Sequence, residues 1–394
     1  MNTQPETPPC DLCQSNPILH DELIADIKSR LPVKLLMQMK CVCKFWKTLI
    51  SHPTFIKMHL YRSQQNAYSY VVSHMKSERD HDDFSFVPFS VNHLLEDRSF
   101  TIRNYPDYPL NDKDCRHVVG SCNGLVCLLG YSETKWWFRF WNPATRTISD
   151  KLGFLHDGKF EWCAWNFVFG YDNTTDTYKV AGLNTANNRE VRVFSLGEND
   201  WRTIQSFPAL HDALISHASR MYGGVYFSCA VNWLGTNPRN DKFFDDYVIV
   251  SLNLSTLTYT QMHPPSCFEK VIPLVAPSVC VLMNSLCFYH DVEGTHFVIW
   301  RMTEFGNENS WTKLLKLYYH NLGMNYKFEH DFLRLRLMPL HVSEDGDVVV
   351  FANNLQSRAI LYNRRTERAR KTRINNNICW FSMRDYVESL VSTS

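Results

Sequence analysis

The residues that could do covalent chemistry in this 394-residue chain are numerous but poorly grouped for it. Sixteen histidines and thirteen cysteines are spread along the whole length. Cys10-x-x-Cys13 has the spacing of half a zinc site, but no second pair follows at a zinc-like interval. Asp80-His81-Asp82-Asp83 is a string of metal-ligand types inside the hydrophilic stretch His74–Asp83, which reads as a solvated turn. His211-Asp212 and His330-Asp331 pair a base with a carboxylate, yet adjacency in sequence does not set two side chains on one face. No HExxH, GxSxG, P-loop or GxGxxG motif stands in the strand-to-helix context it needs. With no nucleophile beside a base, the chain is expected to be non-catalytic and to hold neither metal nor cofactor. The cysteines, odd in number and set in apolar runs, are expected to act as small buried hydrophobes.

What remains is the chemistry of recognition. Residues 154–166 (FLHDGKFEWCAWN) and 232–246 (NWLGTNPRNDKFFDD) read as long loops. They carry Trp162, Trp165, Trp233, Arg239 and Phe243, and aromatics with arginine are the usual anchors of protein interfaces. These five are the candidate contacts to a target protein. The basic run Arg364, Arg365, Arg368, Arg370, Lys371 and Arg373 reads as an exposed turn and edge strand, where cations discourage edge-to-edge pairing. Charge is otherwise balanced, 41 Lys and Arg against 40 Asp and Glu. That balance gives no bulk attraction to nucleic acid or to an anionic membrane, and neither is expected as a partner. No apolar run approaches the roughly eighteen residues of a membrane span. Residues 1–17 have neither a basic start nor an apolar stretch and read as a disordered leader, which points to the cytoplasm or nucleus.

Two kinds of element must hold these candidates. In residues 18–60 apolar residues recur at helical spacing. Leu23, Ile24, Ile27 and Leu31 mark one helix, and Leu35, Leu36, Met39, Val42 and Cys43 a second. Phe45, Trp46, Leu49 and Ile50 mark a third, and Phe55, Ile56 and Leu60 a fourth. Leu31 before proline leaves the α region, and Pro32 is expected to open the second helix, where its missing N–H is not needed. About forty residues of short amphipathic helices cannot bury a core alone and need a partner surface.

From residue 116 onward the period changes to short strands. Asn123-Gly124, Gly223-Gly224, Asn284-Ser285 and Asp345-Gly346 each precede an apolar run and read as turns feeding buried strands. A longer repeat lies over this grammar. Asn-x-x-Thr begins at Asn142, Asn253 and Asn363, 111 and 110 residues apart, and Trp201 and Trp311 fall between them, 110 apart. Five units of about 55 residues in an all-β sequence predict propeller blades, and residues 67–115 could complete a sixth. Asn-x-x-Thr suits a turn within a blade, and the two tryptophans should pack between blades. The predicted architecture is α+β and multidomain: a leader (1–17), helices (18–60), a transition that could be a first blade (61–115), and an all-β propeller-like domain of five to six blades (116–391).

The helical stretch resembles the F-box. The residues that carry the resemblance are Leu19, Leu23 and Ile27, Ser29-Arg30-Leu31-Pro32-Val33-Lys34, Cys41-Val42-Cys43-Lys44-Phe45-Trp46, and Leu49-Ile50-Ser51, in that order. The resemblance implies docking on a Skp-type adaptor, and through it on a cullin. The implied contacts are Leu19, Leu23, Ile27, Leu31, Pro32, Val33, Leu36, Val42 and Trp46. Two positions depart from the family pattern. His20 stands where proline is usual, and Lys28 where an apolar residue is usual, placing a charge beside the docking face from which a lysine stem can snorkel.

Most of residues 116–390 resembles the F-box-associated domain of plant F-box proteins, also described as F-box/kelch-like. The match runs through Gly120–Cys127 (GSCNGLVC), Trp141–Arg146 (WNPATR), Phe169–Asp172 with Asp176–Val180, Val191–Ser195 with Trp201-Arg202, Ile299-Trp300 with Ser310–Thr312, and Tyr386–Leu390. True kelch repeats carry a Gly-Gly pair in each blade, and only Gly223-Gly224 does so here. Together the resemblances imply the substrate-recognition subunit of a Skp–cullin–F-box ubiquitin ligase, with the target held by the β domain. Two other functions stay open on the sequence: a binding scaffold outside the ligase, suggested by His20 and Lys28, and a propeller enzyme such as a glycosidase, which would need carboxylates at the axis.

Overall fold

The computed structural model describes residues 21–65, 69–75, 84–96, 110–156, 165–184, 190–204, 224–236, 247–266, 268, 277–322, 337–353, 359–372 and 378–393. Four helices come first: α1 (Asp21–Lys28), α2 (Val33–Lys40), α3 (Lys44–Ser51) and α4 (Pro53–Gln65). Pro32 is the N-cap of α2, not its first residue, and its ψ of 146° keeps it extended as the chain turns into the helix. α4 is tied back to α1 by Arg62, which donates to the Asp26 carbonyl and carboxylate and to the Ser29 hydroxyl. The fully buried apolar residues of this module are Val33, Leu36, Ile50 and Phe55, and Leu390 from far downstream packs among them.

Next come β1 (Ser69–Met75), β2 (Phe84–Ser90) and a short helix α5 (Val91–Leu95), and then a six-bladed propeller built by antiparallel pairing. Blade 1 is β3 (His117–Cys122), β4 (Leu125–Tyr131), β5 (Lys135–Asn142) and β6 (Thr147–Ile148), with β7 (Leu152–His156) also on β5. Blade 2 is β8 (Trp165–Asp172), β9 (Thr177–Asn184), β10 (Val191–Ser195) and β11 (Asp200–Ile204). Blade 3 is β12 (Gly224–Phe227), β13 (Ala230–Thr236), β14 (Tyr247–Asn253) and β15 (Tyr259–Met262). Blade 4 is β16 (Ser278–Leu282), β17 (Ser285–Val292), β18 (His296–Met302) and β19 (Trp311–Tyr318). Blade 5 is β20 (Leu337–Val342), β21 (Val348–Asn353), β22 (Ile360–Asn363) and β23 (Arg368–Lys371). Blade 6 takes its innermost strand, β24 (Ile378–Tyr386), from the far end of the domain, with β1 and β2 outside it. Described residues from within 67–115 thus help complete the sixth blade, as the sequence allowed, rather than forming a first blade by themselves. They give the last blade its outer strands, and Leu110 extends it by bridging Phe86.

The apolar runs follow from this stacking. Each blade is covered on both faces, so consecutive residues of one strand enter different cores. Leu125, Cys127 and Leu129 face blade 2, while Val126 and Leu128 face blade 6. Val349 and Phe351 face blade 4, while Val350 and Ala352 face blade 6. Six such cores lie between the six pairs of neighbouring blades and close the ring. The Asn-x-x-Thr repeat is the turn between the third and fourth strands of blades 1, 3 and 5. The asparagine Oδ1 accepts backbone N–H groups two or three residues on, at 3.1 and 3.3 Å for Asn142, 2.8 and 3.0 Å for Asn253, and 2.9 Å for Asn363. In blades 2 and 4 the tryptophan of the outer strand reaches back to the preceding blade. Trp201 Nε1 donates to the Gly153 carbonyl at 3.1 Å and Trp311 Nε1 to the His263 carbonyl at 3.0 Å. Gly224 is no turn residue. It opens β12, where an added Cβ would lie 2.5 Å from the Trp233 ring and 2.7 Å from Val168.

Candidate functional site

The helical module leaves much of its apolar surface uncovered. Leu23 and Ile27, one turn apart on α1, are 56% and 52% exposed. Leu35 on α2, Val42 in the α2–α3 turn and Phe45 on α3 are 44%, 74% and 46% exposed. Large exposed apolar side chains beside an already filled core are the mark of an interaction face. Pro32 is exposed, and Leu31 and Trp46 are half-buried. Lys28 does not stand bare among them. Its Nζ lies 5.4 Å from the centre of the Trp46 ring, so the charge is held by an aromatic face and links α1 to α3.

Two residues expected at the docking face are turned the other way. Val33 and Leu36 are 0% exposed, because that side of α2 packs on Ile50, Phe55 and Leu390. Leu35 and Phe45, which helical periodicity also marked as apolar, are exposed in their place. Leu19 and His20 lie outside the described residues. Residues 21–65 hold eight Lys and Arg against three Asp and Glu, so the module carries a net +5 within a nearly neutral chain.

The helices sit on one rim of the propeller. Lys57 Nζ is 2.8 Å from the Asp176 carboxylate in the β8–β9 turn, and Gln64 Nε2 donates to Asn123 Oδ1 at 3.0 Å in the β3–β4 turn. Ala144, in the Asn142 turn of blade 1, packs against the helical core. Between α2 and the rim lies a cleft of about 320 Å³, lined by Lys34, Gln38, Phe89, Pro143, Arg146 and Glu388 among others. The β8–β9 turn is held rigid from beneath. Asp172 is fully buried at 2.7 Å from Lys179 Nζ, and it accepts further hydrogen bonds from Ser255 Oγ, Thr175 Oγ1 and the Thr174 N–H. Burial pushes the Asp172 carboxyl up, but the bonds from Lys179, Ser255, Thr175 and Thr174 outweigh it and hold it well below the usual carboxylate range. In the helices, burial keeps the His59 imidazole below its ordinary range, although its Nε2–H donates to the Leu31 carbonyl at 3.0 Å.

The loop tryptophans divide. Trp165 and Trp233 are buried at 4% and 1% exposure, so neither is displayed to a target. Both lie on strands, where alternation turns them towards a neighbouring blade. Trp165 stacks on Phe167 with ring centres 5.8 Å apart and lies under the Arg192 guanidinium. Trp233 fills the space beside Gly224. Trp162, Arg239 and Phe243 lie outside the described residues. The basic run, apart from Arg373, which lies outside the described residues, falls in the β22–β23 hairpin, and three of its arginines are bonded within the propeller. Arg364 donates to the Gly346 and Leu314 carbonyls, Arg365 pairs with Asp347 at 2.7 Å, and Arg370 donates to the Leu95 carbonyl. Among the described residues no three His, Cys, Asp or Glu side chains group as a metal site, and no helix is long and apolar enough to cross a membrane.

Residues 80–393 match the family model of the F-box associated beta propeller domain. The chain belongs to the F-box-associated β-propeller family. The F-box/kelch-repeat protein At3g23880 of Arabidopsis thaliana is 28% identical over 360 residues, 87% of this chain and 86% of that protein. The F-box protein CPR1 of the same plant is 25% identical, covering 74% of this chain and 71% of its own length. The F-box protein At1g11270, also of Arabidopsis thaliana, is 27% identical over 73% and 88%. Family membership and these relatives make the chain a plant-type F-box protein, and no enzyme family is indicated among them. In a solved nidogen/laminin complex one chain overlaps with a TM-score of 0.43 at 9% identity, over 82% of this chain and 99% of that one.

Proposed function

We propose that this F-box protein is the non-catalytic substrate receptor of a Skp–cullin–F-box ubiquitin ligase, working in the cytoplasm or nucleus. The observation that carries the proposal is the exposed apolar face of Leu23, Ile27, Leu35, Val42 and Phe45, on helices whose own core is already filled. Leu31, Pro32 and Trp46 belong to the same module, whose net +5 charge would suit an adaptor surface of opposite sign. Docking would bring the receptor to a cullin, and the propeller would hold the target near the charged ubiquitin carrier. The gain is proximity, since a bimolecular attack becomes nearly intramolecular.

The geometry also divides the labour between rims. β8 and β12 run the same way, since Val168 lies beside Gly224 and Gly170 beside Tyr226. The turns after the innermost strands therefore face the helices. The ends of β13 and the start of β14, Thr236 and Tyr247, open on the opposite rim. This supports a reading in which the target is held at that rim, away from the adaptor; the candidate contacts Arg239 and Phe243 lie outside the described residues.

The test is binding of the full chain to a purified Skp-type adaptor. Val42→Asp sets a charge on an apolar residue that is 74% exposed and should weaken binding at least about 100-fold, with thermal unfolding unchanged. A well-folded wild-type chain that ignores the adaptor would refute the proposal.

A further inference from the structure

We infer that residues 386–391 form a strap that makes the helices competent to dock only when the propeller is closed. The inference rests on reading the helices as the adaptor-docking unit. β24 is the innermost strand of blade 6, and its arrival closes the ring. The chain leaves it at Tyr386 and runs between the rim and the helices.

Contacts on the propeller side fix the strap in place. Asn142 is fully buried at the start of the blade 1 turn, and its Nδ2 donates to the carbonyls of Ser389 at 3.0 Å and Val391 at 2.8 Å. The Tyr386 hydroxyl accepts the Ala144 N–H at 3.0 Å. Ser389 lies so close over the Asn123-Gly124 turn that a Cβ on Gly124, whose φ is already +82°, would fall 2.1 Å from its hydroxyl oxygen. Only glycine fits there.

On the helical side the strap completes the module. Leu390 is 5% exposed among Val33, Leu36, Ile50 and Phe55. The Glu388 carboxylate accepts the Val33 N–H at 3.3 Å. That N–H is one of the orphan donors at the start of α2, and the N-cap, Pro32, has no side chain that can accept it. Glu388 thus performs from far downstream the task of an N-cap side chain, with its charge at the positive end of the helix. Removing the strap takes away this cap and one member of a five-residue core. A core that small has nothing with which to absorb the loss.

The same few residues therefore finish two structures. An open ring leaves Leu390 and Glu388 unplaced, and α2 and α3 then lack the packing that orients the exposed face. Adaptor docking becomes a report of propeller closure, and a receptor with an unfinished target domain is kept from the ligase. Leu390 and Glu388 are positioning residues: the adaptor need not touch either one.

Three full-length variants test this with adaptor titrations and amide hydrogen exchange. Leu390→Ala should lower adaptor affinity at least about tenfold and raise exchange in α2 and α3, leaving β17 and β18 as protected as before. Leu390→Met, which keeps the volume, should stay within about twofold of wild type. Glu388→Ala should cost about three- to fivefold in affinity and raise exchange in the first turn of α2 alone. Unchanged exchange in α2 and α3 of Leu390→Ala, or unchanged affinity beside raised exchange, overturns the inference. An equal rise in β17 and β18 also overturns it, because Leu390 would then support the whole fold. If the wild-type chain fails to bind adaptor, the docking reading falls, and the exchange measurements still decide whether the strap holds the helices.

Discussion

Lys179→Met should destabilise the propeller by about 3–5 kcal/mol, the cost of breaking a buried ion pair from one side. The magnitude follows from what is left behind. Lys179 Nζ is 2.7 Å from Asp172 and 2.7 Å from the Leu254 carbonyl, so one substitution removes the partner of a buried carboxylate and the donor to a neighbouring blade. Bonds from Ser255, Thr175 and Thr174 remain on Asp172 and keep the loss from growing larger. At roughly 2 °C per kcal/mol for a domain of this size, the apparent melting temperature should fall by about 6–10 °C. The pH dependence gives the sharper check. In the wild type the folded Asp172 carboxyl titrates below its unfolded value of about 3.9. Its stabilisation is thus complete above that value and is lost as pH falls through the folded one. Without Lys179, burial is opposed less and the folded carboxyl titrates higher, so the variant recovers as its carboxyl protonates. The melting gap between variant and wild type should therefore narrow from pH 7 towards pH 4.5, and Asp172→Asn in the Lys179→Met background should restore at least half of it at pH 7. A gap under about 2 °C at pH 7, or one that widens on acidification, would show that the pair does not hold this turn.

Three further outcomes follow from the same structure. The +5 charge of residues 21–65 should make adaptor association salt-sensitive, with stopped-flow on-rates falling several-fold as ionic strength rises and off-rates nearly constant. Leu36→Asp should abolish docking by collapsing α2 and α3, visible as lost helical circular dichroism, whereas Val42→Asp weakens docking at least about 100-fold with that signal intact. Glu367 is exposed and held at φ +54°, so Glu367→Gly should raise stability by about 0.5–1 kcal/mol in denaturant titrations.

Much of the propeller was legible because its signals are local and recur. A strand covered on both faces must be apolar at every position, and Leu125–Leu129 is. A turn whose backbone N–H groups are satisfied by a short side-chain oxygen at its start favours Asn, and Asn142, Asn253 and Asn363 mark three blades in order. The sixth blade was hidden for the converse reason. Val71 pairs with Pro88 across a hairpin but with Arg384 across the whole domain, and no local pattern announces the second partner. The tryptophans misled where turn-like residues lay beside them. Asn232 and Gly235 gave Trp233 the look of a loop residue, although it sits within β13, paired with Gly224 on one side and Val250 on the other.

The docking face was half legible, and the missing half explains why it is where it is. Helical period identifies Val33, Leu35 and Leu36 as apolar positions of α2, but a short helix with apolar residues on more than one side does not say which side is inward. In this chain the choice is made from outside the module. Leu390 and the Ala144 turn cover Val33 and Leu36, and whatever they do not cover, Leu35, Val42 and Phe45, is left to a partner. On the proposed docking reading, the adaptor-facing surface is thus the complement of the propeller-facing one. Shifting α2 by one residue on the rim would carry Leu35 into the buried place of Leu36 and Leu36 into the half-buried place of Met37, changing both surfaces at once. The strap that covers the inward side is itself anchored at a buried asparagine and at a glycine with no room for a Cβ, so on the proposed docking reading these two positions help decide which face of α2 is left to the adaptor.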